Sequence, residues 1–563
     1  MRISLHELAE RLGGTFEPGP TLDPRPSTLA VTGFATDSRD VKPGDLFIAI
    51  RGAQVDGHAY VEAAMSQGAL ASLVERPVSA PHIRVLSLVP ALARMARSFR
   101  EEFQGPVIGV TGSAGKSSSK EFLAAALAPM GEVLKTEGNR NTEYTAPLMW
   151  AELSSPSPRG GERGLGGEGL GFRSGINSME SGHSAPHPGA QSSPTLSPAR
   201  GEGAFAAVVV EMGMRGPGQI THLASFSRPN IAIITNIGVS HLSELGSREA
   251  IARAKGELLE ALPEDGVAIL WAEDEYLDLL EGLLSPTPQP PPPPKRDWEA
   301  RDTNHSRREG AGTPHPPAPS PRHSSGRGGA GRLLTFGFTG SADARIVSYR
   351  ATGWESAEIE IAFEGDVCLV RLPVVGRHQA LNAAAAFLAA VAAGVPPTLA
   401  ASGLANAKLP PMRMAVRQRG DVTYVLDMYN ASPPSVIAAL ETVRDVIGSL
   451  PEGEGGPEFV AVLGEMRELG EHSEQGHRDV GEALVRFGVD RVILLVPDVG
   501  TMHPTATMGR AAIEAGMDAS KIHVASSHEE VKALLTELGG PAVVLVKGSR
   551  GVELERALPE GVL

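Results

Sequence analysis

The run Val107-Ile108-Gly109-Val110-Thr111-Gly112-Ser113-Ala114-Gly115-Lys116-Ser117-Ser118 constrains this chain more than any other stretch. An apolar strand empties into a glycine-bearing loop, and Ser119 to Ala126 then reads as a helix. Backbone N–H groups of such a loop, with the helix N-terminus behind them, form an anion site. Lys116 would neutralise phosphate charge there, and the Ser117 hydroxyl would enter a Mg²⁺ shell. The spacing is G-x-x-G-K-S, because Val110 stands where the common G-x-x-x-x-G-K-[ST] pattern has its first glycine. The alternative is a tight strand–helix turn carrying an exposed lysine.

Composition narrows the class. A chain of 563 residues has room for roughly three domains. Its 41% hydrophobic content can build sizeable cores. With 51 basic against 66 acidic residues, no generic nucleic-acid or anionic-membrane binder is expected, so a phosphate must be held by local geometry. The single cysteine, Cys368, excludes an internal disulfide and a cysteine-built zinc site. No uncharged run approaches the roughly 18 residues of a membrane span, and the N-terminus is amphipathic and acid-bearing, unlike a signal peptide. A cytoplasmic protein without membrane insertion is expected.

Two segments stand apart. Residues 154–204 and 285–332 are crowded with Pro, Gly, Ser and Arg, lack an apolar period and are expected to be disordered, low-complexity inserts. With these excised, continuous apolar strands at 106–111, 206–211, 230–236 and 267–271 alternate with helical patterns, as in a parallel sheet covered on both faces. A further strand is expected at 333–338. After Pro410-Pro411 a second series begins: strands at 422–427, 458–464, 491–496, 522–525 and 542–547, with helices at 434–447, 474–487, 506–516 and 528–538. That pattern predicts a separate Rossmann-like domain. Residues 1–85 read as a smaller α/β unit with a strand at 45–50.

Several side chains join the loop as candidates. Glu211 ends the apolar strand Ala206–Val210, on the edge where open parallel sheets bind ligands, and would hold Mg²⁺; the alternative is a surface glutamate. The next strand delivers His241 to the same edge, as a metal ligand or an ordinary structural histidine. In the helix expected at 247–262, Lys255 falls one turn after Ile251, on the apolar arc. A lysine buried there would need a specific role, whereas one at the arc's edge could snorkel to water. Asn382 opens an alanine-rich helix and Asp427 ends a strand; alone, each could be a cap or a turn residue.

Taken in order, these residues resemble the Mur ligase family of ATP-dependent peptidoglycan amide ligases. The resemblance spans nearly the whole chain outside the inserts. It rests on Thr36-Asp37-Ser38-Arg39, Pro43–Phe47, Asp56-Gly57-His58, Thr111–Ser118 and Gly138-Asn139-Arg140-Asn141. It continues through Glu211-Met212-Gly213, Asn236–Leu242, Ala254–Glu257, Leu426–Ser432, Leu463–Gly470 with His477, and Val546–Arg550. The family implies a UDP-sugar-peptide-binding domain at 1–103, an ATP-binding domain at 104–409 and a Rossmann-like ligase domain at 410–563.

It also implies ATP and Mg²⁺ as cofactors. Lys116, Lys255 and His241 would be catalytic, and Ser117, Glu211, His241 and Lys255, as a carbamate, would serve the metal. Thr111, Gly112, Ser113, Ala114, Gly115, Lys116, Ser117, Ser118, Asn382, Arg413 and Asp427 would hold the nucleotide. Ser38, Arg39, Asn139, Tyr429 and Asn430 would contact substrate. Ser117-Ser118 replaces the commoner Thr-Thr and keeps the hydroxyl; Thr142-Glu143 and Ser432 replace asparagine-rich positions.

Within the family, the pattern is most similar to members that join D-alanyl-D-alanine to UDP-N-acetylmuramoyl-tripeptide through an acyl phosphate, and a monomer is expected. The nearest alternative is the sister ligase that adds the third amino acid. Its Asp-Asn-Pro-Arg-like clamp is absent from 410–563, whereas the Leu463–Gly470 pattern is present. From another class, a non-catalytic nucleotide-dependent interaction protein would leave the acid, histidine and lysine without work.

Overall fold

The continuous apolar runs become central strands in the computed structural model, which describes residues 2–19, 30–52, 55–138, 140–154, 205–284, 332–409, 414–450, 456–497 and 503–563. Contacts divide the chain into two units, Met1–Leu86 with Ala151–Phe205, and Ser87–Trp150 with Ala206–Leu563. The first unit holds a five-stranded sheet ordered Thr15–Glu17, His82–Arg84, Ala71–Val74, Asp45–Ile48, Gly33–Ala35. Only its first pairing is antiparallel. Helix Leu5–Leu12 begins at Ser4, whose side chain accepts from Glu7 N, and ends at Gly13 in the left-handed region.

The second unit carries a nine-stranded sheet ordered Asp366–Leu372, Ala357–Phe363, Ala344–Ala351, Arg332–Gly337, Val267–Trp271, Ile231–Ile234, Val107–Thr111, Ala207–Glu211, Val133–Lys135. The strands from Val133 to Arg345 run parallel, and the last two pairings are antiparallel. Val107–Thr111 lies between Ile231–Ile234 and Ala207–Glu211, with Thr111 opposite Ile234 and Val110 opposite Glu211. The phosphate-type loop and the acid therefore leave the sheet at one edge. Helices Lys116–Leu127 and Arg377–Ala392 pack together above it. Ala383 to Ala386 are all fully buried, as in a helix covered on every side.

A six-stranded sheet follows, ordered Ala415–Arg419, Val422–Leu426, Ala542–Lys547, Glu458–Leu463, Arg491–Leu495, Ile522–Ala525. All its pairings are parallel except the first. Helices Pro433–Ser449, Ser473–Arg486, Pro504–Glu514 and His528–Thr536 alternate with these strands, matching the expected series to within a few residues at each end.

The structure departs from expectation in three places. The antiparallel extension Ala344–Leu372 is not anticipated. Helix Leu88–Glu102 falls inside the expected first domain, 1–103, yet it packs on helix Gln219–Ser227 of the second unit. There Arg100 Nε donates to Ser227 O at 2.9 Å and Nη2 to Arg228 O at 3.0 Å. Ser154 closes the 3-10 helix Ala146–Ser154 and Arg332 opens a strand, so regular structure reaches one residue into each expected insert. Residues 155–204 and 285–331 lie outside the described residues. No helix among the described residues is long and apolar enough to cross a membrane.

Candidate functional site

The loop after Val107–Thr111 needs its two glycines. Gly112 has φ +147°, and a Cβ there would stand 1.9 Å from Thr235 Oγ1. Gly115 has φ +82°, and its Cβ would stand 2.3 Å from Asn382 Oδ1. Asn236 braces the turn, accepting from Ser113 N (3.0 Å) through its carbonyl and from Ala114 N (3.1 Å) through its side chain. Gly238 N donates to Ser113 Oγ at 2.8 Å, and buried Thr111 donates to Met212 O at 2.9 Å. Lys116 opens the helix and turns back, donating to Gly112 O at 2.7 Å. Ser118 is buried in the first turn.

Glu211 is buried beside this loop. Its Oε1 accepts from Ser117 Oγ (3.2 Å) and Asn141 Nδ2 (3.0 Å). Its Oε2 has no hydrogen bond and faces Lys120 Nζ at 3.3 Å. The surface-glutamate alternative is thus excluded. Lys120, which sequence reasoning passes over, is itself fully buried and also donates to Gly138 O at 3.1 Å.

Lys255 does lie on the buried face of helix Arg248–Glu260, at 2% exposure. Among the described residues no hydrogen bond or ion pair holds its ammonium. Burial, and then the positive charge of Lys116, push its pKa well below the ordinary lysine range. His241 sits in the left-handed region at φ +64°. Such a conformation in a non-glycine residue is strained and concentrates at functional sites. Its Nδ1 is buried without a hydrogen bond, 3.8 Å from Glu468 Oε2. Burial lowers its pKa first, and Lys255 and Lys116 add to that. Lys116, Lys255 and His241 therefore share one electrostatic neighbourhood.

Asn382 joins them through the helix above, where its Oδ1 accepts from Ser119 Oγ at 3.3 Å and its Nδ2 donates to Gln379 Oε1 at 3.1 Å. Asp427 stands at the carboxyl end of strand Val422–Leu426 of the six-stranded sheet and takes Lys547 Nζ at 2.6 Å. The same ammonium donates to Asn430 O at 2.9 Å. Tyr429 is half-buried and Asn430 exposed. Ser38 and Arg39 lie in the first unit on the 3-10 helix Ser38–Asp40. Arg39 pairs there with Asp37, holding that carboxyl down at about 2. Asn139 and Arg413 lie outside the described residues. Asp274 was also missed; its Oδ2 accepts Ile237 N at 2.8 Å and fixes the loop leading to His241.

Among the described residues no three His, Cys, Asp or Glu side chains form a ready metal cluster. The loop edge offers instead one hydroxyl, one carboxylate with an oxygen that has no hydrogen bond, and one imidazole nitrogen that has none. The hydroxyl and carboxylate are hard oxygen donors that suit Mg²⁺, which keeps further positions for water and phosphate oxygens.

Comparison with known proteins agrees with this arrangement. Residues 30–126 match the Mur ligase family catalytic domain, 195–289 the Mur ligase middle domain, and 412–550 the Mur ligase glutamate ligase domain. The UDP-N-acetylmuramoyl-tripeptide–D-alanyl-D-alanine ligase of Bacillus subtilis is 28% identical, over 100% of this chain and 98% of that protein. The ligase of the same name from Synechocystis is 30% identical, over 84% of this chain and 81% of that one. The crystal structure of the MurF ligase from Thermotoga maritima in complex with ADP superposes with a TM-score of 0.64 at 26% identity, over 94% of this chain and 96% of that chain.

Proposed function

Because the chain belongs to the Mur ligase family, we propose that it joins D-alanyl-D-alanine to UDP-N-acetylmuramoyl-tripeptide with ATP, releasing ADP and phosphate, in cytoplasmic peptidoglycan precursor synthesis. The observation that carries this reading is the full-length similarity to ligases of that name, together with the glycine-shaped loop beside a buried acid. ATP is the nucleotide of the central sheet, in keeping with the ADP complex of the Thermotoga maritima ligase. The UDP-sugar falls to the first domain through Ser38 and Arg39. D-alanyl-D-alanine falls to the last domain, where Tyr429 and Asn430 contact substrate. The enzyme acts as a monomer.

The tripeptide's terminal carboxylate attacks the γ-phosphate, giving an acyl phosphate, and the dipeptide's amine then displaces phosphate. Loop N–H groups and Lys116 carry the charge that spreads over the transferred group, and the burial of the site strengthens them. Ser117, Glu211, His241 and a carbamate on Lys255 would hold Mg²⁺, which supplies charge neutralisation at the phosphates. Only a neutral amine adds CO₂, losing one proton as the N–C bond forms. A lysine whose pKa is driven down by burial and by Lys116 is suited to that step. Asn382 and Asp427 bind the nucleotide from the alanine-rich helix and the six-stranded sheet, so aligning two substrates becomes a matter of placing the nine- and six-stranded sheets.

Phosphate release by the purified protein tests the reading. It should require both UDP-N-acetylmuramoyl-tripeptide and D-alanyl-D-alanine. Equal release with a single amino acid, or with neither substrate, would overturn it.

A further inference from the structure

Among the described residues, Lys120 is a buried charge at the loop for which the reaction above has no use. It lies one turn beyond Lys116, 1% exposed, with Nζ 3.3 Å from Glu211 Oε2 and 3.6 Å from Glu121 Oε1. Glu121 is shared with the half-exposed Lys135, so the row Lys135, Glu121, Lys120, Glu211 alternates in sign and sums to zero, with Lys120 and Glu211 buried. Lys120 also donates to Gly138 O, beside the segment whose Asn141 holds the other oxygen of Glu211. The oxygen of Glu211 without a hydrogen bond is thus the one that Lys120 faces.

We propose that Lys120 makes divalent-metal uptake at Glu211 conditional on bound nucleotide. A carboxylate already neutralised by an ammonium in a dry site offers a free dication little net attraction. Glu121, the other anion of this row, is itself held by Lys120 and Lys135, so it does not make up the deficit. The phosphates of the nucleotide bring that missing charge, so metal and nucleotide enter together. Lys120 acts through Glu211 and is a positioning residue. The inference rests on the assignment of Glu211 as a metal ligand.

Mn²⁺ binding to the full chain, followed by electron paramagnetic resonance with and without ADP, tests it. Wild-type protein should take Mn²⁺ at least about tenfold more tightly with ADP than without. Lys120→Gln keeps an N–H for Gly138 O and removes the charge. It should bind Mn²⁺ alone about tenfold more tightly than wild type, a gain that damage to the fold does not produce. Lys120→Arg should behave as wild type, and Lys120→Gln with Glu211→Gln should lose the gain. Wild-type uptake that is indifferent to ADP, or no gain in a Lys120→Gln protein that melts normally, overturns the proposal. The wild-type comparison decides the matter if that variant does not fold. Glu211→Gln separates the two levels: unchanged Mn²⁺ uptake with ADP would refute the metal assignment itself, whatever Lys120 does.

Discussion

Gly115 and Gly218 form a matched pair in which one backbone conformation meets two different surroundings. Both precede helices in nearly the same geometry, φ 82° and ψ −10° at Gly115, φ 80° and ψ −13° at Gly218. A Cβ at Gly218 has nothing within 4 Å, whereas at Gly115 it stands 2.3 Å from Asn382 Oδ1. Gly218→Ala should therefore cost only the left-handed backbone strain, about 1–2 kcal/mol. Gly115→Ala should cost that much and also expel Asn382 from Ser119 Oγ and Gln379 Oε1. Each of those bonds is worth about 1 kcal/mol, for a total of about 3–4 kcal/mol. Unfolding curves followed at the ADP-sensitive transition give the stability difference, and calorimetric titration gives ADP affinity. ADP binding should weaken more than about tenfold in Gly115→Ala and stay within about twofold in Gly218→Ala. Equal losses in the two variants would show that Asn382 is not seated against the loop, and its assignment to the nucleotide would fall.

Three further outcomes are expected. Lys255→Ala should be nearly inactive and partly rescued by short carboxylic acids, while the wild type should carry the added mass of one CO₂; full activity in CO₂-depleted buffer without that mass would refute the carbamate. Burial pushes His378 down to about 4 while its unfolded value is near 6.5, so the native state binds fewer protons between those values and loses stability as pH falls through that window. The loss should reach at most about 2 kcal/mol between about pH 7 and pH 5, and His378→Gln should flatten that slope in thermal melts; an unchanged slope would refute it. Replacing 155–204 and 285–331 by short Gly-Ser links should leave kcat and KM within about threefold, under about 1 kcal/mol, because the strands that follow them, Ala207–Glu211 and Arg332–Gly337, begin at the sheet edge opposite the loop; a larger loss in a folded protein would refute this.

The parallel strands were legible because strands buried on both faces read as continuous apolar runs, and Val107–Thr111 and Ala542–Lys547 are buried at every position. Lys255 was legible because helical periodicity put it among apolar neighbours. Ala357–Phe363 alternates buried and half-buried residues in the structure, but it was not anticipated, because the hairpin that pairs it lies outside the alternating strand–helix pattern. Lys120 was not legible. Between Ser119 and Glu121 it reads as a solvated helix residue, and its burial is imposed by Glu211, far away in sequence. Asp274 was hidden for a similar reason: Glu273, Asp274 and Glu275 form a run of acids, and only the contact with Ile237 N singles one out.

One helix explains how nucleotide and six-stranded sheet are brought into register. Arg377–Ala392 presents Asn382 to Gly115 and Ser119, and one turn earlier presents His378 to the field of Asp427 and Lys547. Residues four apart share a helix face, so the two contacts are fixed relative to one another by backbone geometry. The start of the helix is in turn fixed by Tyr349, whose hydroxyl accepts from Gly376 N at 2.8 Å, and by Arg377 over the ring of Phe338 at 4.3 Å. Tyr349 belongs to the antiparallel extension of the nine-stranded sheet. That extension therefore does more than widen the sheet. It seats the helix end that carries His378, and through four residues of helix it sets where Asn382 meets the phosphate-type loop.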